Sequence, residues 1–236
     1  MTADDFRAEL ESELAWRQEE LAFFKNQLNN LNSDQEKNRY RKSMVLILYS
    51  HFEGYTKIAL LSYIKFINQL EISRKDVVSS LMVAGMNREF LAYDDTDRKC
   101  EIFRRTLPDD HSLHRHFRRV DLINQIDAFK ESLLVISDSV INTESNLRYA
   151  VLQKNLYKLG LPENLFDEHR NDIDALVNRR NSIAHGSDHS GVTDTEFANW
   201  ERKITLILSE IMRQLYDHAL HQRYLKTNSA QEVITV

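Results

Sequence analysis

Leu176-Val177-Asn178-Arg179-Arg180-Asn181-Ser182-Ile183-Ala184-His185-Gly186 is the stretch on which the reading of this chain turns. From Asn171 to His185 the apolar residues Ile173, Leu176, Val177, Ile183 and Ala184 recur at spacings of three and four, the period of one helical face, and Gly186 supplies a stop. Arg180 falls in a slot of that apolar face. Burying a guanidinium is costly unless a carboxylate or phosphate answers it, and the other solution is a buried stem with its head at an edge. Two partners remain open. Glu53 is the lone acid in the middle of the most hydrophobic helix and would make a structural ion pair; alternatively an anion is brought by a ligand. Asn181 and His185 are four apart and share a face beside Arg180. His185 also has two readings: a cap on the carbonyls of the last turn, or a group that exchanges a proton near neutral pH. An arginine beside a histidine suits phosphate chemistry.

The same helical period extends in both directions. Residues 3 to 31 carry Phe6, Leu10, Leu14, Phe24, Leu28 and Leu31, widened by Ala15, Trp16, Leu21 and Phe23, and predict a long amphipathic first helix. Ser33 with Glu36 has capping-box spacing and opens a second helix through Val45, Leu48, Phe52, Tyr55 and Ala59. That helix is apolar almost all round, as a central element should be. Ser73 and Asp76 suggest another start, but Gly85, Tyr93-Asp94-Asp95-Thr96 and Pro108 break residues 73 to 119 into an irregular helical insert. Periodicity returns from Leu122 through Ile136, pauses at Asn142-Thr143-Glu144-Ser145, and runs on from Leu147 to Leu159 until Gly160 and Pro162 stop it. Thr193 with Glu196 opens the last helix, through Trp200 to Leu215, and the chain after about Lys226 reads as a disordered tail, 227 to 236.

Composition agrees with an all-α fold. Five glycines and two prolines in 236 residues leave too few turn residues for a many-stranded sandwich or barrel. The length predicts one domain, 1 to 226, and roughly 70 percent of the unfolded surface of such a chain is buried on folding, so no disulfide or structural metal is needed. The single Cys100 fits a reducing compartment, and the acidic first residues, with no long apolar run, predict a cytoplasmic protein without a membrane span. A net charge of −5 argues against bulk coating of nucleic acid and leaves room for a small local site.

One segment is locally basic. Arg98, Lys99, Arg104, Arg105, Arg115, Arg118 and Arg119 are interleaved with His111, His114 and His116. Of these, Arg104, Arg105, Arg115, Arg118 and Arg119 form a candidate RNA-backbone track, the alternative being a solvated charged surface. The histidine spacing matches no metal motif, and there is no Gly-rich phosphate loop or serine nucleophile elbow, so neither metal nor cofactor is expected.

The string Arg180-Asn181-Ser182-Ile183-Ala184-His185 resembles the Arg-x(4–6)-His signature of the HEPN superfamily. Leu46 through Lys57 and Ser145 through Leu161 are similar to a HEPN branch found in prokaryotic defence and restriction loci, so the resemblance runs from about residue 40 to 215. It implies an antiparallel helical bundle whose motif helices meet in a homodimer to form a composite, metal-independent endoribonuclease site. In that site Arg180, Asn181 and His185 are the catalytic candidates, and Glu53 takes a positioning role toward Arg180. The implied biology is a toxin or effector in phage defence or a toxin-antitoxin pair, restrained by an antitoxin or companion defence protein. The alternative within the resemblance is a non-catalytic module that binds nucleotide, RNA or a companion protein.

Overall fold

A computed structural model describes residues 1–102, 110–187 and 189–226. Among these residues it has eight α-helices and no strand, only the isolated bridges Ser73 to Leu133 and Val77 to Leu225. The helices are α1 (Ala3–Gln27), α2 (Asp34–Asn68), α3 (Ser79–Gly85), α4 (Asn87–Asp94), α5 (His111–Glu131), α6 (Tyr149–Lys158), α7 (Arg170–Ala184) and α8 (Asp194–Leu220). No helix among the described residues is long and apolar enough to cross a membrane.

The bundle is built on α2. Its start is set by Ser33 and Glu36, which bond each other's backbone amides as the spacing predicts, and Thr193 with Glu196 does the same for α8. Met44, Val45, Leu48, Phe52, Tyr55, Ala59, Leu60, Tyr63 and Ile64 of α2 are buried, which is why its sequence is apolar almost all round, with an exposed polar strip at Ser43, Ser50, Lys57 and Lys65. Helix α1 packs antiparallel to it: Glu9 reaches Lys65 at one end and Glu20 reaches His51 toward the other. Helix α8 runs parallel to α2, with Arg41 bonded to Asp194 at 2.8 Å near one end and Tyr63 bonded to His218 at 2.7 Å near the other. On α1 the buried face is Phe6, Leu10, Leu14, Arg17 and Leu21, whereas Trp16 and Phe23 stay exposed on its outer side.

The described residues of 73 to 119 form short pieces, α3 and α4, followed by the first turns of α5. Three sequence expectations change in the middle of the chain. Helix α5 begins at His111, capped by Asp110, and not at Leu122. Its early turns lack an apolar stripe because the buried positions are polar: His114 accepts the Cys100 amide, and Arg118 donates to the Tyr93 and Arg98 carbonyls. At the other end the helix stops at Glu131 and does not reach Ile136. The chain there is extended, with the Leu134 amide on the Ile72 carbonyl and Ile136 paired to the Asn68 side chain, so Leu134 and Ile136 enter the core without helical turns. Ser73 likewise starts no α-helix. Residues 73 to 78 are held against Ser132, Tyr224 and Lys226 by backbone bonds, and the helix begins only at Ser79. Arg104, Arg105 and the expected tail 227 to 236 lie outside the described residues.

Tyr63 and His218 make a titratable joint in the core. The Tyr63 hydroxyl bonds His218 Nδ1, and the Gly160 carbonyl faces the same ring. Burial, then the charge of Arg223, pushes His218 down to about 4. The unfolded chain takes up this proton near pH 6.5 and the folded chain only near pH 4, so stability is lost as pH falls through that window. This group is expected to remove about 2 kcal/mol between pH 7 and 5. Urea unfolding of wild type and His218→Gln at both pH values measures it as the difference in pH dependence; equal pH dependence would contradict the assignment.

Candidate functional site

Helix α7 crosses α2 and buries Ile173, Leu176 and Val177, which directs its next turn, Arg180 to Ala184, to the rim of the bundle. The helix ends as the sequence predicts. Gly186 adopts φ +69°, its amide bonds the Ile183 carbonyl and that of Ser187 bonds the Ser182 carbonyl, so the last carbonyls are satisfied by backbone. The His185 side chain is therefore not needed to cap them, and it stands exposed beyond the final turn.

Arg180 is half-buried, and its guanidinium carbon lies 4.5 Å from the ring centre of Tyr49 on α2. Its Nη1 donates to Asn181 Oδ1 at 2.8 Å. No ion pair joins it to Glu53 or to any other carboxylate among the described residues. The structural ion pair considered for this site is thus absent, and Tyr49 stands where the direct contact was expected. Glu53, one turn along α2, faces the Tyr49 hydroxyl, whose pKa is pushed up to about 12 by burial first, with the Glu53 carboxylate adding to the shift. A cation held by an aromatic face and a neutral amide keeps its full charge available to an incoming anion.

The third wall is the chain leading into α6. Glu144 and Ser145 have φ of +54° and +52°, a conformation that costs a non-glycine residue about 1 kcal/mol or more. Buried Asn155 clamps this turn by bonding both the amide and carbonyl of Asn142, and the Leu147 amide donates to the Tyr49 hydroxyl at 2.8 Å. Those anchors bring Asn146 Oδ1 to Asn181 Nδ2 at 3.3 Å and Arg148 Nη2 to Asn178 Oδ1 at 2.8 Å. Helix α7 in turn caps α6, with Asp174 accepting the Tyr149 amide at 3.0 Å.

Arg180, Asn181 and His185 are therefore together at one helix end, and Glu53 reaches them through Tyr49. Three of the basic-insert candidates lie within the described residues. Arg118 is buried and committed to backbone carbonyls, Arg119 bonds the Tyr93 hydroxyl, and Arg115 is exposed on α5. Among the described residues no group of histidine, cysteine and acid side chains is arranged to hold a metal. Tyr49, Asn146, Arg148 and Asn178 were not singled out in the sequence. The four-residue step from Tyr49 to Glu53 on one helix face was the available signal for the first.

A family model described as RiboL-PSP-HEPN matches residues 12–217. The chain belongs to the HEPN family. HEPN domains are RNase-like or nucleotide-binding modules that often bind RNA and dimerise. No curated protein and no solved structure matches this HEPN chain.

The Tyr49 hydroxyl joins α2, the turn before α6 and the ring platform under Arg180. Tyr49→Phe keeps the platform and leaves the buried Leu147 amide without an acceptor, so it is expected to cost about 1–3 kcal/mol in urea unfolding and to speed hydrogen exchange at Leu147. Unchanged stability and exchange would contradict this role.

Proposed function

We propose that this protein is a metal-independent endoribonuclease and that the end of α7 is its active site. The observation that carries the reading is the uncompensated Arg180 guanidinium, held by Tyr49 and Asn181 beside the exposed His185. In the proposed reaction an RNA 2′-oxygen attacks the adjacent phosphorus as its proton leaves to a base. The bond from phosphorus to the 5′-oxygen breaks, and that oxygen takes a proton. The products are a 2′,3′-cyclic phosphate and a 5′-hydroxyl end. Arg180 neutralises charge on the phosphorane, Asn181 orients the guanidinium and the phosphate, and His185 transfers the proton.

The two proton transfers favour two copies of His185, one as base and one as acid. His185 is open to solvent at the edge of one chain, which supports a homodimer that pairs two α7 ends into a composite site. Glu53 acts indirectly, by fixing the hydroxyl of the tyrosine under Arg180. A nuclease of this kind is harmful when unrestrained, in keeping with a toxin or effector role in phage defence or a toxin-antitoxin pair, with an antitoxin or companion protein as partner.

Purified wild type is expected to cut cellular RNA in EDTA and to leave cyclic-phosphate ends, while His185→Ala loses at least about 10²-fold in rate and still binds RNA. End-group analysis of the fragments checks both. A His185→Ala protein that cuts as fast as wild type would overturn the assignment, and binding without cutting by either protein would favour a regulatory HEPN module.

A further inference from the structure

Arg148 and Arg180 approach α7 from different elements and are held in the same way. Arg148 donates to Asn178 Oδ1, and Arg180 to Asn181 Oδ1. Neither makes an ion pair with a carboxylate among the described residues, unlike Arg41, Arg74 and Arg98, whose side chains are also largely covered. A neutral amide oxygen orients a guanidinium without cancelling its charge, and the remaining donors of the fork keep their geometry for an anion.

Asn178, Asn181 and His185 follow one another by three and four residues, so they form a polar strip along α7 about 10 Å long. The strip runs from Arg148 at one end, through the Asn146–Asn181 bond, to His185 at the other. The turn that carries Arg148 is not free to swing away: Asn155 clamps its start, the Tyr49 hydroxyl holds the Leu147 amide, and Asp174 holds the Tyr149 amide. The Arg148 side chain itself is only half-buried and caps nothing on α6. It is a positioned cation with no structural debt to neutralise.

We infer that Arg148 with Asn178 forms a second phosphate subsite, which takes a backbone phosphate of single-stranded RNA flanking the one at Arg180 and His185. This rests on the reading of α7 as the RNA-cleaving site and adds a binding element that does no chemistry. RNA is laid along the strip, so Arg148 acts on capture of the substrate and on its register, not on the proton transfers.

The test uses full-length protein carrying His185→Ala, so that RNA stays intact, and a fluorescently labelled single-stranded RNA of mixed sequence in EDTA. Adding Arg148→Ala is expected to weaken binding about tenfold at low salt and to reduce the slope of log K against log salt by about 0.7, the value for one lost phosphate contact on a single strand. Arg148→Lys should keep most of the affinity and the slope, which separates a lost charge from a lost fold. In the active background Arg148→Ala is expected to raise KM about tenfold with kcat changed by less than about twofold. An unchanged slope, a fall in kcat at constant KM, or no RNA binding by the His185→Ala parent would each overturn the subsite. The two readings fail separately: cleavage with no Arg148 effect removes only the subsite, and an Arg148-dependent salt slope without any cleavage by wild type removes only the nuclease.

Discussion

A tyrosine under a guanidinium holds this site together. The Tyr49 ring supports Arg180, its hydroxyl accepts the Leu147 amide, and Glu53 faces that hydroxyl from the next turn of α2. Three elements far apart in the chain meet through that one side chain. Because α2 is buried along most of its length, the platform is as rigid as the core itself, and the polar groups of α7 inherit that rigidity at the rim.

The electrostatics follow from the same contact. Had Glu53 paired directly with Arg180, the charge would have been spent inside the protein and the motif would be a structural bridge. With an aromatic ring and an asparagine in its place, the cation is desolvated on one side and unopposed on the other, which is the state that favours binding a phosphate and stabilising the extra charge of its transition state. The backbone does the capping at the end of α7, through Gly186 and Ser187, and that leaves the His185 ring outside the hydrogen-bond requirements of the fold.

Much of this was legible in the sequence where local rules and tertiary packing agree. The all-helical class, the capping boxes at Ser33 and Thr193, the central position of α2 and the Gly186 stop all rest on short-range patterns that the bundle preserves. Arg180, Asn181 and His185 stood out because a charge broke an apolar stripe. Periodicity failed where burial is polar or extended: Arg118 and His114 hide the first turns of α5, and Leu134 and Ile136 imitate a helix that ends at Glu131. Tyr49 left only its four-residue step to Glu53 as a local trace, because the Leu147 amide that its hydroxyl accepts lies about a hundred residues away. Asn146 and Arg148 were hidden for the same reason.

The most direct measurement is cleavage of an RNA that carries a single 2′-deoxy nucleotide immediately 5′ to a site the wild-type protein cuts, compared with the all-ribo strand in EDTA. The chemistry assigned to His185 and Arg180 requires the 2′-hydroxyl as nucleophile, so that site should stay intact in the substituted strand while other sites are cut at the ordinary rate. Equal cutting at the substituted site would mean that water or another nucleophile attacks the phosphorus, and would contradict the mechanism.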